Sequence, residues 1–306
     1  TLLAASLDLA PAGWRVSVLD AGGVAAGASG AAEGIVGSVA KRKAGPVTDI
    51  VRRSFAAFPT LGVLLDHPIE FTGKPGLMVI HGEADAQLLQ AFVKKRSLEG
   101  IAIEWLDGDA SRALEPALGD DIAGSVYTPE QGVVNPIQLA HGYLSAAKRM
   151  GATVVSGSRV LSIEHLGGRI SSVNTTTGKY SGELVVNAAG ANAQIIAAMA
   201  GDRVEITPKR AQMLVSEALQ PGRLRNTLYS GAVVAAGLNR NTLDFEDVPS
   251  ETDQLRAEAA NRWQLSSLTQ TARGNVLFCG GFGFAGDDRR AEPDTAQAIA
   301  QNVAEL

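Results

Sequence analysis

A single cysteine, Cys279, stands among 306 residues. A lone thiol excludes an internal disulfide and any zinc or iron–sulfur site built from this chain's own cysteines, and it fits a reducing, cytoplasmic setting. No metal site is expected. Apolar runs long enough to span a bilayer are absent and no signal peptide is visible, so no integral membrane span is expected. An excess of positive charge is missing too: 27 Lys and Arg stand against 32 Asp and Glu, with no basic stripe, which argues against nucleic acid as a partner. Internal repeats and low-complexity linkers are likewise absent. Glycine is abundant, with 34 residues concentrated in 22–37, 151–190 and 274–286. Its free φ and bare backbone serve tight turns or let a ligand reach the main chain. At this length, with 45% hydrophobic and 19% charged residues, the expectation is a globular chain of two intertwined lobes.

The first residues, LLAASLDLAPAGWRVSVLDAG, read as a helix over 2–10, a turn, and an apolar strand over Arg15–Leu19 closed by Asp20. That is the second half of a dinucleotide-binding βαβ unit, in which an acid at the strand end takes the ribose hydroxyls. The strand and G-x-G-x-x-G that precede such a helix are not in the sequence. With Thr1 already inside the expected helix and Leu306 inside another, the expectation is a sequence cut at both ends.

Further along, helices are expected at 46–65, 84–98, 109–114, 136–150 and 192–199, and a last one from about 293. Glu70–Phe71 and Leu77–Ile80 read as a hairpin. Strands are expected at Ile101–Trp105, Ile122–Thr128, Thr153–Val155, Val160–His165, Ile170–Thr175 and Leu184–Asn187, with Gly167-Gly168 as a hairpin turn. Residues 204–217 read as a strand pair, another hairpin is expected around Ala272–Asn275, and 221–262 stays unassigned. The fold class is α/β: a Rossmann-like nucleotide-binding lobe from 1–45 and 128–203, and an interleaved antiparallel-sheet substrate lobe from 46–127 and 204–306.

Three segments carry the cofactor expectation. Asp20, with Ala21 beside it, ends the first strand; taken alone, it is as consistent with a turn acid. The run AGASGAAEGIVG (26–37) would let backbone amides approach a pyrophosphate or flavin ring, with Ser29 adding a hydroxyl, or it is a flexible loop. VVNAAGANA (185–193) reads as a buried strand turning into a helix through small residues, a pattern shared by ordinary crossovers. Together, in this order, they point to a nucleotide cofactor.

These segments, RVSVLDAG (15–22), ASGAAEGIVGS (28–38), VVNAAGANA (185–193), YTPEQGVVNPIQLAHGYLSAAKRMGA (127–152), SRVLSIE (158–164) and PKRAQMLVSE (208–217), resemble the FAD-dependent D-amino acid oxidase family, which includes glycine and sarcosine oxidases. TQTARGNVLFCGGFGFAGDDRR (269–290) is most similar to FAD subunits of opine oxidases, hydroxyproline or proline dehydrogenases and hydrogen cyanide synthase. The resemblance implies FAD as cofactor. Asp20 would bind the adenosine ribose, Ser29, Gly30, Ala31 and Gly34 the pyrophosphate and isoalloxazine edge, Val160 the adenine through its backbone, and Ala188, Ala189 and Gly190 the ribityl side. The resemblance also implies oxidation of the C–N bond of a small amino or imino acid: a D-amino acid, glycine, proline, hydroxyproline or an opine.

That chemistry needs few protein groups, because the flavin takes the hydride and the protein orients the donor. Tyr127, Arg210, Gln212 and Tyr229 are the candidates for the substrate face, each with an ordinary strand-packing alternative. His67, His81, His141 and His165 are scattered and read as surface or packing residues, and Cys279 as a small buried hydrophobe. Expected assembly is a homo-oligomer, or a hetero-oligomer with electron-transfer subunits. The alternative is a non-catalytic structural subunit or remnant of a flavoprotein complex.

Overall fold

The computed structural model describes residues 8–9, 11–37, 45–206, 208, 210–231, 265–283, 297 and 299. In chain order its strands are β1 (Ser17–Asp20), β2 (Ile35–Val36), β3 (Thr72–Gly73), β4 (Gly76–Ile80), β5 (Glu104–Asp107), β6 (Gly124–Thr128), β7 (Gly132–Val133), β8 (Thr153–Ser156), β9 (Val160–Leu166), β10 (Arg169–Thr175), β11 (Gly178–Ser181), β12 (Arg210–Ala218), β13 (Thr227–Ser230), β14 (Leu265–Gln270) and β15 (Asn275–Gly283). The helices are α1 (Pro46–Leu65), α2 (Glu83–Leu98), α3 (Gly108–Leu114), α4 (Pro136–Arg149) and α5 (Ala193–Met199). The expected helices at 2–10 and from 293 fall largely outside the described residues. The chain forms two compact units, the first from Thr1–Ala32, Thr60–Ile69 and Asn135–Pro208, the second from Glu33–Pro59, Glu70–Val134 and Lys209–Leu306.

In the first unit β1 and β8 pair in parallel, Ser17 opposite Thr153 and Asp20 opposite Ser156. A parallel pair needs a crossover, and α4 ends it just before β8. Asn135 starts that helix by accepting the Ile137 and Gln138 N–H groups at 3.1 Å, and Pro136 occupies the first turn, where no N–H is needed. Gly142, Ala146 and Ala147 are its buried positions. Strands β9, β10 and β11 form an antiparallel meander; Gly167 and Gly168, at φ 59° and 77°, make the two-residue turn that the sequence predicts between β9 and β10.

One expectation in this unit fails. Leu184–Asn187 forms no strand: among the described residues nothing pairs with it, and Leu184 and Val186 are 62% and 51% exposed. Strand character requires a hydrogen-bonding neighbour, which apolar composition alone does not supply.

The second unit holds a seven-stranded sheet in the order β12-β15-β14-β13-β4-β6-β5 and a small sheet in the order β2-β7-β3. All neighbours in the large sheet are antiparallel except β13 and β4. The alternation of side chains gives it two faces. One carries Met78, Val126 and Tyr229 under α2 residues Leu89, Phe92 and Val93. The other carries Leu77, Val79, Leu228, Leu268 and Val276. Glu115, fully buried at the end of α3, accepts the Arg225 and Asn226 N–H groups at 2.7 and 2.8 Å, fixing the approach to β13.

The expected hairpin at 70–80 does not form. β3 pairs with β7, while β4 lies between β6 and β13, so distant partners outcompete the Gly-Lys-Pro-Gly turn signal. Similarly, residues 204–217 supply one strand, β12, rather than a pair, and the strand expected at Ile101–Trp105 shifts to Glu104–Asp107. Within the unassigned 221–262, the described part contains β13.

Candidate functional site

The first element of the site is the turn after β1. The Asp20 carboxylate, exposed at the strand end, accepts the N–H groups of Gly22 and Gly23 through Oδ1 at 2.9 and 2.7 Å, which curls the chain away from the strand tip. From Ala21 to Ala32 no side chain is larger than that of Val24. Ala21, Gly27, Ala28, Ser29 and Ala31 are exposed, leaving main chain bare around the single 3-10 turn Ala28–Ala31. Gly30 is there because a Cβ would collide with the carbonyl oxygen of Ala25, itself held at φ 60°. Bare backbone beside a strand-end carboxylate matches what an adenosine ribose and a pyrophosphate require. The donor set therefore fits FAD.

Val160 lies near this turn through the chain itself: Ser158 donates its N–H to the Asp20 carbonyl at 2.8 Å, and β9 starts two residues later. Ala188, Ala189 and Gly190 occupy a separate exposed stretch. The Asn187 side chain closes it, accepting from the Ala189 N–H at 3.3 Å and donating to the Ala193 carbonyl at 2.8 Å, with Gly190 at φ 57°.

Gly34 belongs to the second unit. It is buried at φ 82°, and its carbonyl accepts the Val134 N–H at 2.9 Å; next to it Ile35 and Val36 pair with Val133 and Gly132. This anchoring presents Glu33 to the large sheet, where Ser267 Oγ donates to its carboxylate, 2.9 Å from Oε1 and 2.8 Å from Oε2. Ser267 sits opposite Tyr229 on one side and Cys279 on the other. A single row of directly paired residues, Trp105, Val126, Met78, Tyr229, Ser267, Cys279 and Met213, crosses all seven strands on one face. Tyr229 is buried and donates its hydroxyl to Gln131 Oε1 at 2.8 Å. Gly76 makes room for this pair: a Cβ there would lie 2.9 Å from Gln131 Oε1 and 3.0 Å from Tyr229 Cε2.

The four candidate substrate-face residues are thus not gathered together. Tyr229 lies in the row with Ser267, whereas Tyr127 packs with Leu77 and Val79 on the opposite face. Gln212 alternates with Met213 and shares the face of Leu214, and Arg210 is half-buried at the start of β12, opposite Gly283. Sequence reasoning missed Glu33, Ser267 and Gln131. Glu33 did leave a signal, being the one charged residue in 21–37.

Comparison with known proteins agrees with the fold and cofactor expected. The family model described as FAD dependent oxidoreductase matches residues 3–306. The chain is 29% identical over 218 residues to one of the subunits of the anaerobic glycerol-3-phosphate dehydrogenase of Escherichia coli, covering 69% of this chain and 39% of that protein. With the hydrogen cyanide synthase subunit HcnC of Pseudomonas aeruginosa it shares 30% over 175 residues, 55% of this chain and 42% of the other. Glycine oxidase of Geobacillus kaustophilus is 28% identical over 236 residues, 74% of this chain and 61% of that one. Its crystal structure superposes with a TM-score of 0.81 at 22% identity, covering 99% of this chain and 74% of the other. The chain therefore spans about two fifths of the first two relatives. Among the described residues, no helix is long and apolar enough to cross a membrane.

Proposed function

This chain belongs to the FAD dependent oxidoreductase family, and we propose that within it the protein oxidises the C–N bond of a small amino or imino acid. The observation that carries the reading is the turn after β1, where Asp20 and the bare loop through Ala32 suit the cofactor. Likeness to glycine oxidase and to a protein of hydrogen cyanide synthase supports the donor class.

In this reading Asp20 accepts the hydroxyls of the adenosine ribose, the backbone around Ser29, Gly30 and Ala31 holds the pyrophosphate, and Ala188, Ala189 and Gly190 flank the ribityl chain. When bound, the flavin supplies the two-electron acceptor that takes hydride from the carbon bearing nitrogen. The row containing Tyr229 and Ser267 orients the donor, and its apolar neighbours Met78 and Val126 exclude water from one side. The donor loses hydride and one proton to become an imine, which water hydrolyses to a carbonyl compound and an amine or ammonia. The lone cysteine supports a cytoplasmic location.

A second reading, oxidation of the C–O bond of glycerol-3-phosphate, is favoured by the likeness to the E. coli dehydrogenase. Anaerobic mixing separates the two. The purified yellow protein should be bleached by one of a panel of D-amino acids, N-alkylglycines, proline, hydroxyproline and opines, and not by sn-glycerol-3-phosphate. Bleaching by the phosphate ester alone, or a protein that neither carries nor takes up FAD, would overturn the proposal.

A further inference from the structure

We infer that the hydroxyl cluster of Ser158, Thr175 and Thr177 positions the protein's grip on the adenosine end of the cofactor, with Ser158 as the residue that holds the backbone beside Asp20. The inference rests on the reading in which Asp20 receives the adenosine ribose, and it names what keeps that contact in place.

The cluster lies wholly within the first unit, between the residues that lead into β9 and the turn from β10 into β11. Ser158 is 1% exposed and Thr175 8%, and a hydroxyl taken out of water is costly unless it finds a partner. Here the three oxygens form a closed triangle. Ser158 Oγ stands 2.9 Å from Thr175 Oγ1 and 2.7 Å from Thr177 Oγ1, and the two threonine oxygens are 3.1 Å apart.

Proton counting gives the triangle a direction, because a hydroxyl carries one hydrogen and a carbonyl only accepts. Thr175 donates its hydrogen to the Gly178 carbonyl at 2.9 Å, so toward Ser158 it can only accept. Its lone pairs are then taken by the Ser158 hydroxyl and by the Thr177 N–H at 3.1 Å. That leaves the Thr177 hydroxyl to donate to Ser158, and the Tyr180 hydroxyl, 3.2 Å away, to donate to Thr177. A buried network satisfied in one arrangement fixes the backbone that carries it.

That backbone reaches Asp20. Ser158 donates its N–H to the Asp20 carbonyl at 2.8 Å. On the other side Thr176 stitches 157–159 to the β10–β11 turn: its hydroxyl donates to the Gly157 carbonyl at 2.8 Å and accepts the Arg159 N–H at 3.0 Å, and its own N–H donates to the Arg159 carbonyl at 2.9 Å. Residues 157–159 are thus clamped between the end of β1 and the turn, and Val160 follows directly. Three apolar side chains could fill the same space, but they would lack the directional bonds that set one spacing. Recognition of a ribose diol by a carboxylate depends on hydrogen-bond distances, so slack in this clamp removes hydroxyl recognition before it removes binding as a whole.

The test uses FAD-stripped protein and two probes, ADP and 2′-deoxy-ADP, whose dissociation constants are measured by calorimetry. Wild type should favour ADP, and Asp20→Asn should erase the preference. Ser158→Ala should narrow it by about threefold to tenfold, the worth of one hydrogen bond, and raise the Kd of FAD by a similar factor. Thr177→Val, at an exposed position and of nearly the same shape, should act in the same direction and keeps the test open if Ser158→Ala does not fold. The control is Ser172→Ala in the same meander: Ser172 is 2% exposed and donates to Glu164 at 2.9 Å, so its loss should lower the Tm and leave the ADP preference at the wild-type value. If Ser158→Ala and Thr177→Val weaken both probes equally, or change neither, the cluster is structural only and the inference fails while the Asp20 reading stands. A wild type without the preference, or one in which Asp20→Asn keeps it, overturns the Asp20 reading and the inference with it.

Discussion

Lys74, in the turn before β4, keeps its ammonium buried and donates it to the Gln270 carbonyl at 2.9 Å. Burial lowers its pKa from 10.5 to about 8, against the opposing pull of the Glu115 carboxylate. The sign follows from proton counting. Between pH 8 and 10.5 the unfolded chain binds a proton that the folded chain does not, so this group makes stability rise with pH across that window and contributes no slope outside it. Denaturant titrations at pH 7.5, 9 and 10.5 should show the rise in wild type, and Lys74→Met should remove it; an unchanged slope would assign the titration elsewhere. Lys74 was not legible as a site in the sequence, because a lysine in a Gly-Lys-Pro-Gly turn normally points to solvent. Its burial depends on Gln270, nearly two hundred residues away. Glu33 was more nearly legible, since a charge within a small-residue run is a local anomaly, but its partner Ser267 was not. Asp20 could be read directly: a strand-end acid followed by glycines is a local pattern, and its turn is made of local hydrogen bonds.

Elements whose boundaries are chemically marked were legible. α4 was read from Pro136 at its start and from Lys148, Arg149 and Gly151 at its end, and the β9–β10 turn from a glycine pair. The structure adds the cap: Asn135 satisfies two N–H groups of the first turn. Asn135→Ala should therefore cost about 1 kcal/mol and lower the Tm by roughly 2 °C for a chain of this size. Calorimetry would measure it, and Asn135→Asp should be nearly neutral if the cap is what matters. Short apolar runs were less legible because strand pairing is not local. Leu77–Ile80 reads as a strand, yet its partners do not show in the sequence, and Leu184–Asn187 has the composition of a strand without a neighbour among the described residues to make it one. Faces were harder still. One residue of offset separates Tyr127 from the Tyr229 row, and that offset is set by the register of β4, β6 and β13.

At the scale of the whole molecule, the family's relatives include proteins that are subunits of larger enzymes, as their names state. One cysteine supplies one thiolate, so a four-cysteine iron–sulfur relay would have to lie outside these 306 residues. We expect a hetero-oligomeric dehydrogenase, in which an artificial electron acceptor supports faster turnover than oxygen and a cysteine-rich partner copurifies. Equal rates of peroxide formation and acceptor reduction, in a homo-oligomer, would establish a simple oxidase. The interleaving of the two units has a consequence for how the molecule is made. Gly76 on β4 is paired with Thr227 on β13, and at synthesis rates of about 5–20 residues per second the second leaves the ribosome roughly 8 to 30 s after the first. Throughout that interval the strand Gly-Leu-Met-Val-Ile, buried at every position once folded, has one edge without its eventual neighbour. An apolar strand with a bare edge is a template for pairing with another nascent chain. The yield of this protein in a cell is accordingly governed by what shields that strand during synthesis, and slower, cooler expression with holding chaperones favours the native sheet over aggregates.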